Sequence, residues 1–222
     1  MKEAIRRHIL ALGGDICGFA SVDRFAGAPE GFSPVQIWGD CRSVIAFGVA
    51  LPKGLFQISP RLIYGHYNQL SCVLADEIAL RAAKHLEQTY GCKAVPMPCD
   101  SPYEHWDEGT MTGRGLLSMK HIGVQAGLGS MGKNSLFACK EYGNRVTLGC
   151  ILSDLPLASD EIAPNLCMPG CRKCVDACPV SAIEGGTVDQ KRCRTHTYGK
   201  TARGFDTVDC NACRAVCPLN GR

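Results

Sequence analysis

The chain has 222 residues, 45% of them hydrophobic and 20% charged, which is enough to bury one large core or one medium and one small core. Its formal net charge is +3, and it contains no cluster of Lys and Arg of the kind that marks a nucleic-acid partner. No segment approaches the roughly 18 apolar residues of a membrane span, and the apolar stretch at residues 9–12 is too short for a signal peptide. We therefore expect a cytoplasmic protein whose partners include neither membrane nor nucleic acid.

Helices and strands are both predicted in the first 152 residues. The patterns indicate helices at 2–12, 66–90 and 116–126, and strands at 16–22, 44–51, 93–97, 135–139 and 145–152, with the last two joined as a hairpin across 141–144. Gly91 ends the long helix, whose apolar face is predicted to comprise Leu70, Val73, Leu74, Ile78, Ala82 and Leu86. A polar, proline-containing segment at 153–165 then divides the chain into predicted domains at 1–160 and 161–222.

Eight of the fifteen cysteines occupy the last quarter of the chain. They are Cys167, Cys171, Cys174, Cys178, Cys193, Cys210, Cys213 and Cys217. The bacterial ferredoxin pattern C-x₂-C-x₂-C-x₃-C-P holds [4Fe–4S] clusters, and its fourth cysteine serves the other cluster. The first run matches with one extra residue, and the second keeps C-x₂-C-x₃-C-P while the isolated Cys193 supplies the missing ligand.

The spacing predicts which thiolates share a cluster. Closely spaced thiolates reach three corners of one cubane, and the cysteine before proline reaches the neighbouring one. We therefore predict one cluster on Cys167, Cys171, Cys174 and Cys217, and a second on Cys178, Cys193, Cys210 and Cys213. Paired C-x₂-C motifs also bind structural zinc, but two Cys-Pro steps and two interlocked ligand sets favour iron–sulfur clusters. With both clusters bound, the net charge falls from +3 to about −1.

Seven cysteines remain outside these sets. They are Cys17, Cys41, Cys72, Cys92, Cys99, Cys139 and Cys150. Free cysteines are commonly small buried hydrophobic residues, and we interpret most of them so. Cys99 differs because it opens a polar loop at 99–115.

A glycine-rich loop lies at residues 127–134. Gly127, Gly129 and Gly132 precede Lys133 and Asn134, which matches both G-x-G-x-x-G and, apart from Asn134, G-x₄-G-K. Both phosphate motifs need a strand before and a helix after, whereas here a helix precedes and a strand follows, so nucleotide binding is disfavoured. The glycines indicate a close backbone approach either to another chain segment or to a flat cofactor.

The polar loop concentrates acidic side chains. Asp100, Glu104, Asp107 and Glu108 lie close together in sequence, with His105 and Trp106 between them. Reductive chemistry needs a proton donor near the electron acceptor, and Asp100 and Glu104 are candidates for that role. A solvated surface loop explains the same residues, since acidic side chains are mostly exposed.

The glycine loop also carries a family resemblance. The run Ser118–Met–Lys–His–Ile–Gly–Val–Gln–Ala–Gly–Leu–Gly–Ser–Met–Gly–Lys–Asn134 resembles the signature of the epoxyqueuosine reductases and their shorter relatives, and so do residues 142–145 and 153–157. The cysteine block follows at the family's spacing with the same isolated cysteine, so the resemblance extends over nearly the whole chain.

This resemblance implies an α+β fold, in which a nitroreductase-like domain that binds base-off cobalamin precedes a ferredoxin-like domain with two [4Fe–4S] clusters. Reductive dehalogenases share that arrangement. It also implies that residues 127–134 lie near the corrin and that Asp100 is the proton donor, although residues 109–117 are extra here. No D-x-H-x-x-G motif occurs, so no histidine lower ligand is expected. Because the chain ends five residues after Cys217, without the family's helical-repeat domain, we expect a small molecule rather than tRNA as substrate.

These observations lead to a cobalamin-dependent reductase as the main hypothesis. Single electrons from a low-potential donor of the ferredoxin or flavodoxin type would pass through both clusters to the corrinoid, and Asp100 or Glu104 would protonate a small organic substrate. Two alternatives remain open at this stage. One is an electron-transfer module without catalysis of its own, and the other is a protein that reduces or delivers corrinoids.

Overall fold

The computed structural model describes residues 1–101 and 103–221; Pro102, in the predicted polar loop, and Arg222, at the end of the second predicted domain, lie outside the described residues. The helices are α1 (Lys2–Ala11), α2 (Pro34–Ile37), α3 (Leu62–Tyr90), α4 (Met119–Gln125), α5 (Lys173–Asp176), α6 (Gln190–Thr197) and α7 (Ala212–Ala215). The strands are β1 (Ile16–Ser21), β2 (Ser43–Ala50), β3 (Ala94–Met97), β4 (His105–Asp107), β5 (Thr112–Arg114), β6 (Ser130–Met131), β7 (Phe137–Ala138), β8 (Val146–Ser153), β9 (Ile183–Glu184), β10 (Thr187–Val188), β11 (Tyr198–Lys200) and β12 (Asp206–Val208).

A four-stranded antiparallel sheet organises the N-terminal part. Its order is β1–β2–β8–β3, and the two central strands pair over eight residues from Ser43 opposite Ser153 to Ala50 opposite Val146. Both of its faces are covered, by α1 and α3 on one side and by α4 with the segment around α2 on the other, so β2 and β8 are almost continuously buried. Pro96 is tolerated in β3 because that strand lies at the edge of the sheet.

The buried face of α3 differs from the predicted one. Its buried residues are Tyr64, Ser71, Cys72, Ala75, Ile78, Ala79, Ala82, Ala83 and Leu86. The predicted positions 78, 82 and 86 are thus confirmed, whereas Leu70, Val73 and Leu74 are exposed and their assignment was wrong. The helix is apolar on two sides, and the sheet packs on the side with small residues because these permit a closer approach. Gly91 ends the helix with a positive φ of 64°, as predicted.

The predicted hairpin between residues 135–139 and 145–152 is also wrong. The first of these strands shortens to β7 and pairs with β6, and β8 pairs with β2 and β3 in the main sheet. The pairing of β8 is reinforced at its start by the buried Arg145, whose Nη1 donates to the carbonyl of Leu51 at 2.6 Å. Tertiary contacts therefore decide this pairing, and only an isolated bridge between Cys139 and Gly143 remains of the expected turn.

The cysteine-rich segment consists of short helices and two-stranded ribbons, and it packs on the start of α3. Nη1 of Arg214 donates to Tyr64 Oη at 2.9 Å and to Asn68 Oδ1 at 3.2 Å, which attaches α7 to α3. Just before the cysteine-rich segment, the chain is attached to α1, because Asp160 accepts hydrogen bonds from Lys2 at 2.6 Å and from Arg6 at 3.0 Å. The chain is thus fixed to the N-terminal helix at residue 160. The division of the chain into two domains at that point stays a prediction.

No helix in the described residues is both long enough and apolar enough to cross a membrane. The expected cytoplasmic location stays a prediction.

Candidate metal centre and active-site cleft

The first group of cysteines consists of Cys167, Cys171, Cys174 and Cys217. Burial raises the pKa of Cys217, and the charges of the other three thiols of the group raise it further. Burial likewise raises the pKa of Cys174, again with contributions from Cys167 and Cys171. Because one thiolate shifts the pKa of another only at short range, the fold brings Cys217 to the first run across more than 40 residues of intervening chain.

The second group consists of Cys178, Cys193, Cys210 and Cys213. Burial and then its three companions raise the pKa of Cys213 to about 11. The backbone N–H of Ala182 donates to Cys178 Sγ at 3.2 Å, which is the kind of bond that stabilises a thiolate ligand. Cys178 thus lies within electrostatic range of Cys213, although it is only four residues from Cys174. The predicted membership of each ligand set stays a prediction.

Four thiolates in each group are a donor set that both iron–sulfur clusters and structural zinc use. Four thiolates around one zinc ion lie about 3.8 Å apart, given Zn–S bonds of about 2.3 Å. Among the residues that the structure describes, no three Cys, His, Asp or Glu side chains are close enough to hold one ion. A cubane takes each thiolate at a different iron, so its four ligands lie farther apart than those of zinc.

The glycine loop lies against both cysteine groups. Lys133 Nζ donates to the carbonyl of Cys171 at 2.8 Å, and Asn134 Nδ2 donates to the carbonyl of Cys213 at 3.2 Å. A cavity between this loop and the first group is lined by Gly132, Lys133, Asn134 and all four cysteines of the group. The predicted residues Lys133 and Asn134 are therefore placed at the main chain that carries the cysteines.

Two of the loop's glycines are required by the chain itself. A Cβ on Gly127 would lie 2.1 Å from the carbonyl oxygen of Glu161, and one on Gly129 would lie 2.0 Å from that of Ala138. Of the two interpretations left open by the sequence, close approach to another chain segment therefore accounts for these positions. The predicted contact of Gly127, Gly129 and Gly132 with a cofactor stays a prediction.

A cluster of charged and aromatic side chains, called the cleft below, lies between the polar loop, α4 and the second cysteine group. Burial lowers the pKa of the Lys120 ammonium, and the charges of Arg214, Asp100 and Arg194 also act on it. Burial raises the pKa of Tyr198, although 56% of that residue is exposed. Lys120 and Tyr198 are thus accessible to solvent and yet surrounded by protein, as residues in the wall of a concave cleft are.

The aromatic side of this cleft is built around Arg194. Its guanidinium lies 5.5 Å, 5.3 Å and 5.7 Å from the ring centres of Tyr103, Trp106 and Tyr198, and Nη2 donates to Tyr103 Oη at 3.3 Å. Tyr103 and Trp106 stack with ring centres 6.0 Å apart. The extra residues at 109–117 include β5, which pairs with β4 and completes the hairpin that carries Trp106.

The two predicted proton donors have different surroundings. The charge of Asp100 acts on Lys120, Arg194 and Tyr198, which places it at the cleft. Glu104 is exposed at the bend before β4, and no hydrogen bond or ion pair joins it to another described residue. The structure thus brings Asp100, but not Glu104, to the residues of the cleft.

Sequence reasoning missed Lys120, Arg194, Tyr198 and Arg214. Their only sequence signal is position, since Arg194 and Arg214 directly follow Cys193 and Cys213, and Lys120 lies within the run that carries the family resemblance.

Comparison with known proteins extends this picture. No protein-family model matches the chain. The epoxyqueuosine reductase of Bacillus subtilis is 32% identical over 99% of this chain and 64% of its own length, and that of Bacillus cereus is 35% identical over 50% of this chain and 32% of its own. This chain is an epoxyqueuosine reductase-like protein. It spans less than two thirds of the length of these relatives.

Solved structures agree on the fold. An epoxyqueuosine reductase determined with an epoxyqueuosine-modified tRNA stem loop superposes with a TM-score of 0.69 at 20% identity, over 99% of this chain and 65% of that one. A reductive dehalogenase whose structure suggests a mechanism for B12-dependent dehalogenation gives 0.71 at 18% identity, over 98% and 31%. The mixed α and β fold is therefore confirmed, and the chain resembles both kinds of reductase in fold. The expectation that nucleic acid is no partner gains no support, because one of these neighbours contains a tRNA stem loop.

Proposed function

We propose that this epoxyqueuosine reductase-like chain is a cobalamin-dependent iron–sulfur reductase. It would hold two [4Fe–4S] clusters in its cysteine groups and base-off cobalamin in the N-terminal part, and it would reduce a small organic substrate. The observation that carries the proposal is the position of the second cysteine group at a cleft that contains Asp100, Lys120 and Arg194. When bound, the clusters supply single electrons and the corrinoid supplies the metal that transfers them to the substrate.

The cysteine groups would keep the two clusters at a fixed separation. Lys133 and Asn134 lie next to each other in the glycine loop and bond to the carbonyls of Cys171 and Cys213, one from each group. The loop, whose residues 132–136 connect β6 to β7, therefore links the two groups to each other. A low-potential donor of the ferredoxin or flavodoxin type would supply electrons from outside.

The cleft residues would bind and orient the cofactor and substrate. Arg194 is held among three aromatic rings, so its charge is fixed in place rather than free to move. Lys120 donates to the carbonyl of Ser135 at 2.8 Å, which anchors a second cation on the opposite side, next to the glycine loop. The predicted contact of Gly127, Gly129 and Gly132 with the corrin would lie on that same side.

Asp100 would hold the proton that accompanies reduction. It is an exposed carboxyl at the edge of the cleft, within electrostatic range of Lys120 and Arg194. Because it is exposed, solvent can supply it with a proton between turnovers. In the described part of the chain, Glu104 has no ion pair with a cation, so it would serve only if the polar loop moved.

The test is anaerobic reconstitution followed by addition of cob(II)alamin. We expect about eight irons per chain and a shift of the cobalamin spectrum to the base-off form. Zinc in place of iron would overturn the cluster assignment. Eight irons without any spectral shift would overturn the cobalamin proposal and favour an electron-transfer module.

Substrate class is tested on the reconstituted protein with two probes, 3-bromo-4-hydroxybenzoic acid and an epoxyqueuosine-modified tRNA stem loop. Reduction of the small aromatic compound alone supports the small-molecule proposal, and reduction of the stem loop alone overturns it.

A further inference from the structure

We propose that the outer face of α3 is the interface of a twofold-symmetric dimer formed by two copies of this chain. The outer face is the side of the helix turned away from the sheet, and its apolar residues are Leu62, Ile63, Tyr67, Leu70, Val73, Leu74 and Leu80. Such a dimer is independent of the proposed reductase function and of its cofactors.

These seven residues occupy one continuous side of the helix. At about 100° per residue, Leu70 and Val73 lie opposite the buried side of α3, which includes Ala75, Ala79 and Ala82. Each of the seven is between 38% and 57% exposed. A helix needs one apolar side to pack on a sheet, and α3 therefore carries a second apolar side that its own chain leaves in contact with solvent.

The size of the outer face matches what a stable dimer needs. Seven side chains of this kind at about half exposure present on the order of 600 Å² of apolar surface, at the upper end of the 300–600 Å² of the largest patch on a typical monomer. A standard interface buries about 800 Å² from each partner, and part of that area comes from a polar rim. The apolar residues of α3 together with the polar residues beside them supply that area.

The order of residues along the outer face is self-complementary. A seam with the alternating three- and four-residue spacing of paired helices runs through positions 63, 66, 70, 73, 77 and 80. When two copies of α3 run antiparallel about a twofold axis between Leu70 and Val73, each Leu70 faces the partner's Val73. In the same register, each Ile63 faces the partner's Leu80. The apolar contacts thus extend over about 25 Å of helix.

The two polar residues of the seam fit the same register. His66 and Glu77 are both exposed, and each faces the other residue type on the partner when the helices run antiparallel. A parallel arrangement would instead place Glu77 against the partner's Glu77, which is unfavourable because like charges repel. A second copy supplies the reversed order of residues by symmetry, and we therefore assign the outer face to a second copy and not to a different protein.

The first experiment measures the mass of the anaerobically purified protein by sedimentation velocity. Dithiothreitol is present, so that no disulfide between copies contributes. We expect a species of about twice 23.9 kDa that dissociates on dilution. A chain that stays a monomer at about 100 µM would overturn the proposal. The measurement uses neither cobalamin nor substrate, so its failure leaves the proposed reductase function to its own test.

Val73→Glu and Val35→Glu form a matched pair of variants. Val73 lies in the middle of the outer face and is 52% exposed, whereas Val35 lies on α2, across the sheet, and is 43% exposed. Because a twofold interface contains each substitution twice, we expect Val73→Glu to raise the dissociation constant of the dimer at least about 100-fold. Val35→Glu should change it less than about threefold. Equal effects of the two variants would show that the interface lies elsewhere.

The antiparallel register has its own test. Both substituted positions are exposed in a single chain, so the fold of the monomer should be kept, and circular dichroism checks this. Adding Leu70→Lys to Val73→Glu places a lysine of each copy against the glutamate of the other. We expect this double variant to associate at least about tenfold more tightly than Val73→Glu alone. Association no tighter than that of Val73→Glu would overturn the antiparallel dimer.

Discussion

Asp100 and Glu104 belong to one polar loop and have the same chemistry, but their neighbours differ. Asp100 lies close enough to Lys120 and Arg194 for their charges to interact, whereas Glu104 points to solvent at the bend before β4. A proton donor must lie near the atom that accepts the proton. The position of the side chain, and not its type, therefore separates the two candidates.

We predict that Asp100→Asn reduces turnover of the accepted probe at least about 100-fold, because a positioned general acid contributes 10²–10⁴-fold. The amide keeps the size of the side chain, so iron content and the cob(II)alamin spectrum should be unchanged. Steady-state kinetics under anaerobic conditions measure the effect. Glu104→Gln is the matched control and should stay within about twofold of the parent; equal losses in both variants would clear Asp100 of the role.

The cleft cations show what residue types alone do not reveal. Lys120 and Arg194 belong to no ligand motif, and their importance follows from the way the polar loop and α6 meet around them. Spacing predicted the cysteines because cluster geometry fixes how far apart along the chain the ligands of one cubane lie. No equivalent rule connects Arg194 with Asp100, which are brought together only by packing.

At the scale of elements, the glycine loop allows the chain to pack closely against neighbouring backbone. Gly129 lies so close to β7 that a methyl group would meet the carbonyl oxygen of Ala138 at 2.0 Å and the ring of Phe137 at 2.8 Å. The same loop also carries Lys133 and Asn134, which bond to the cysteine segments. A displacement of the loop would therefore shift both cysteine groups.

Gly129→Ala is predicted to lower the free energy of unfolding by about 1–3 kcal/mol, since the added methyl group overlaps backbone atoms that cannot rotate away. For a chain of this size the midpoint of thermal unfolding should fall by several degrees. The control is Gly39→Ala, whose Cβ would meet nothing within 4 Å. It should remain within about 1 kcal/mol of the parent. Similar shifts in both variants would show that the close contact at Gly129 does not matter.

The presence of individual helices and strands was easier to predict than the partners against which they pack. The strands at β1, β2, β3 and β8 and the long helix follow from apolar runs and from Gly91. The hairpin between β7 and β8 and half of the face of α3 were wrong because both involve a choice between partners. A helix that is apolar on two sides gives no periodic signal for which side faces the sheet.

At the scale of the whole molecule, the predicted ligand sets cross at the C-terminal end of the chain. Cys174 lies on α5, and Cys178 lies two residues after the end of that helix. Each is nevertheless grouped with a cysteine from the last 13 residues of the chain. Each proposed cluster therefore closes a different long loop, and the cysteine segment cannot be divided into two independent halves.

Pairs of cysteine substitutions test this crossing. Cys174→Ala combined with Cys217→Ala removes ligands of one group and should leave about four irons per chain, while Cys174→Ala combined with Cys178→Ala should leave close to none. Anaerobic iron and sulfide analysis gives the count. If the neighbouring pair retained four irons and the distant pair lost all eight, the grouping would be sequential rather than crossed.

The sequence by itself determined the spacing of the eight cysteines, the main strands and helices, and the resemblance to epoxyqueuosine reductases, because each of these depends on order along the chain. The two interlocked ligand sets are predicted from the same spacing. The tertiary structure alone decided that β8 lies between β2 and β3, that Gly127 and Gly129 pack against backbone, and that Asp100 meets Lys120 and Arg194. These contacts join residues far apart in sequence, and their energies depend on which surfaces pack together, a property that no local pattern contains.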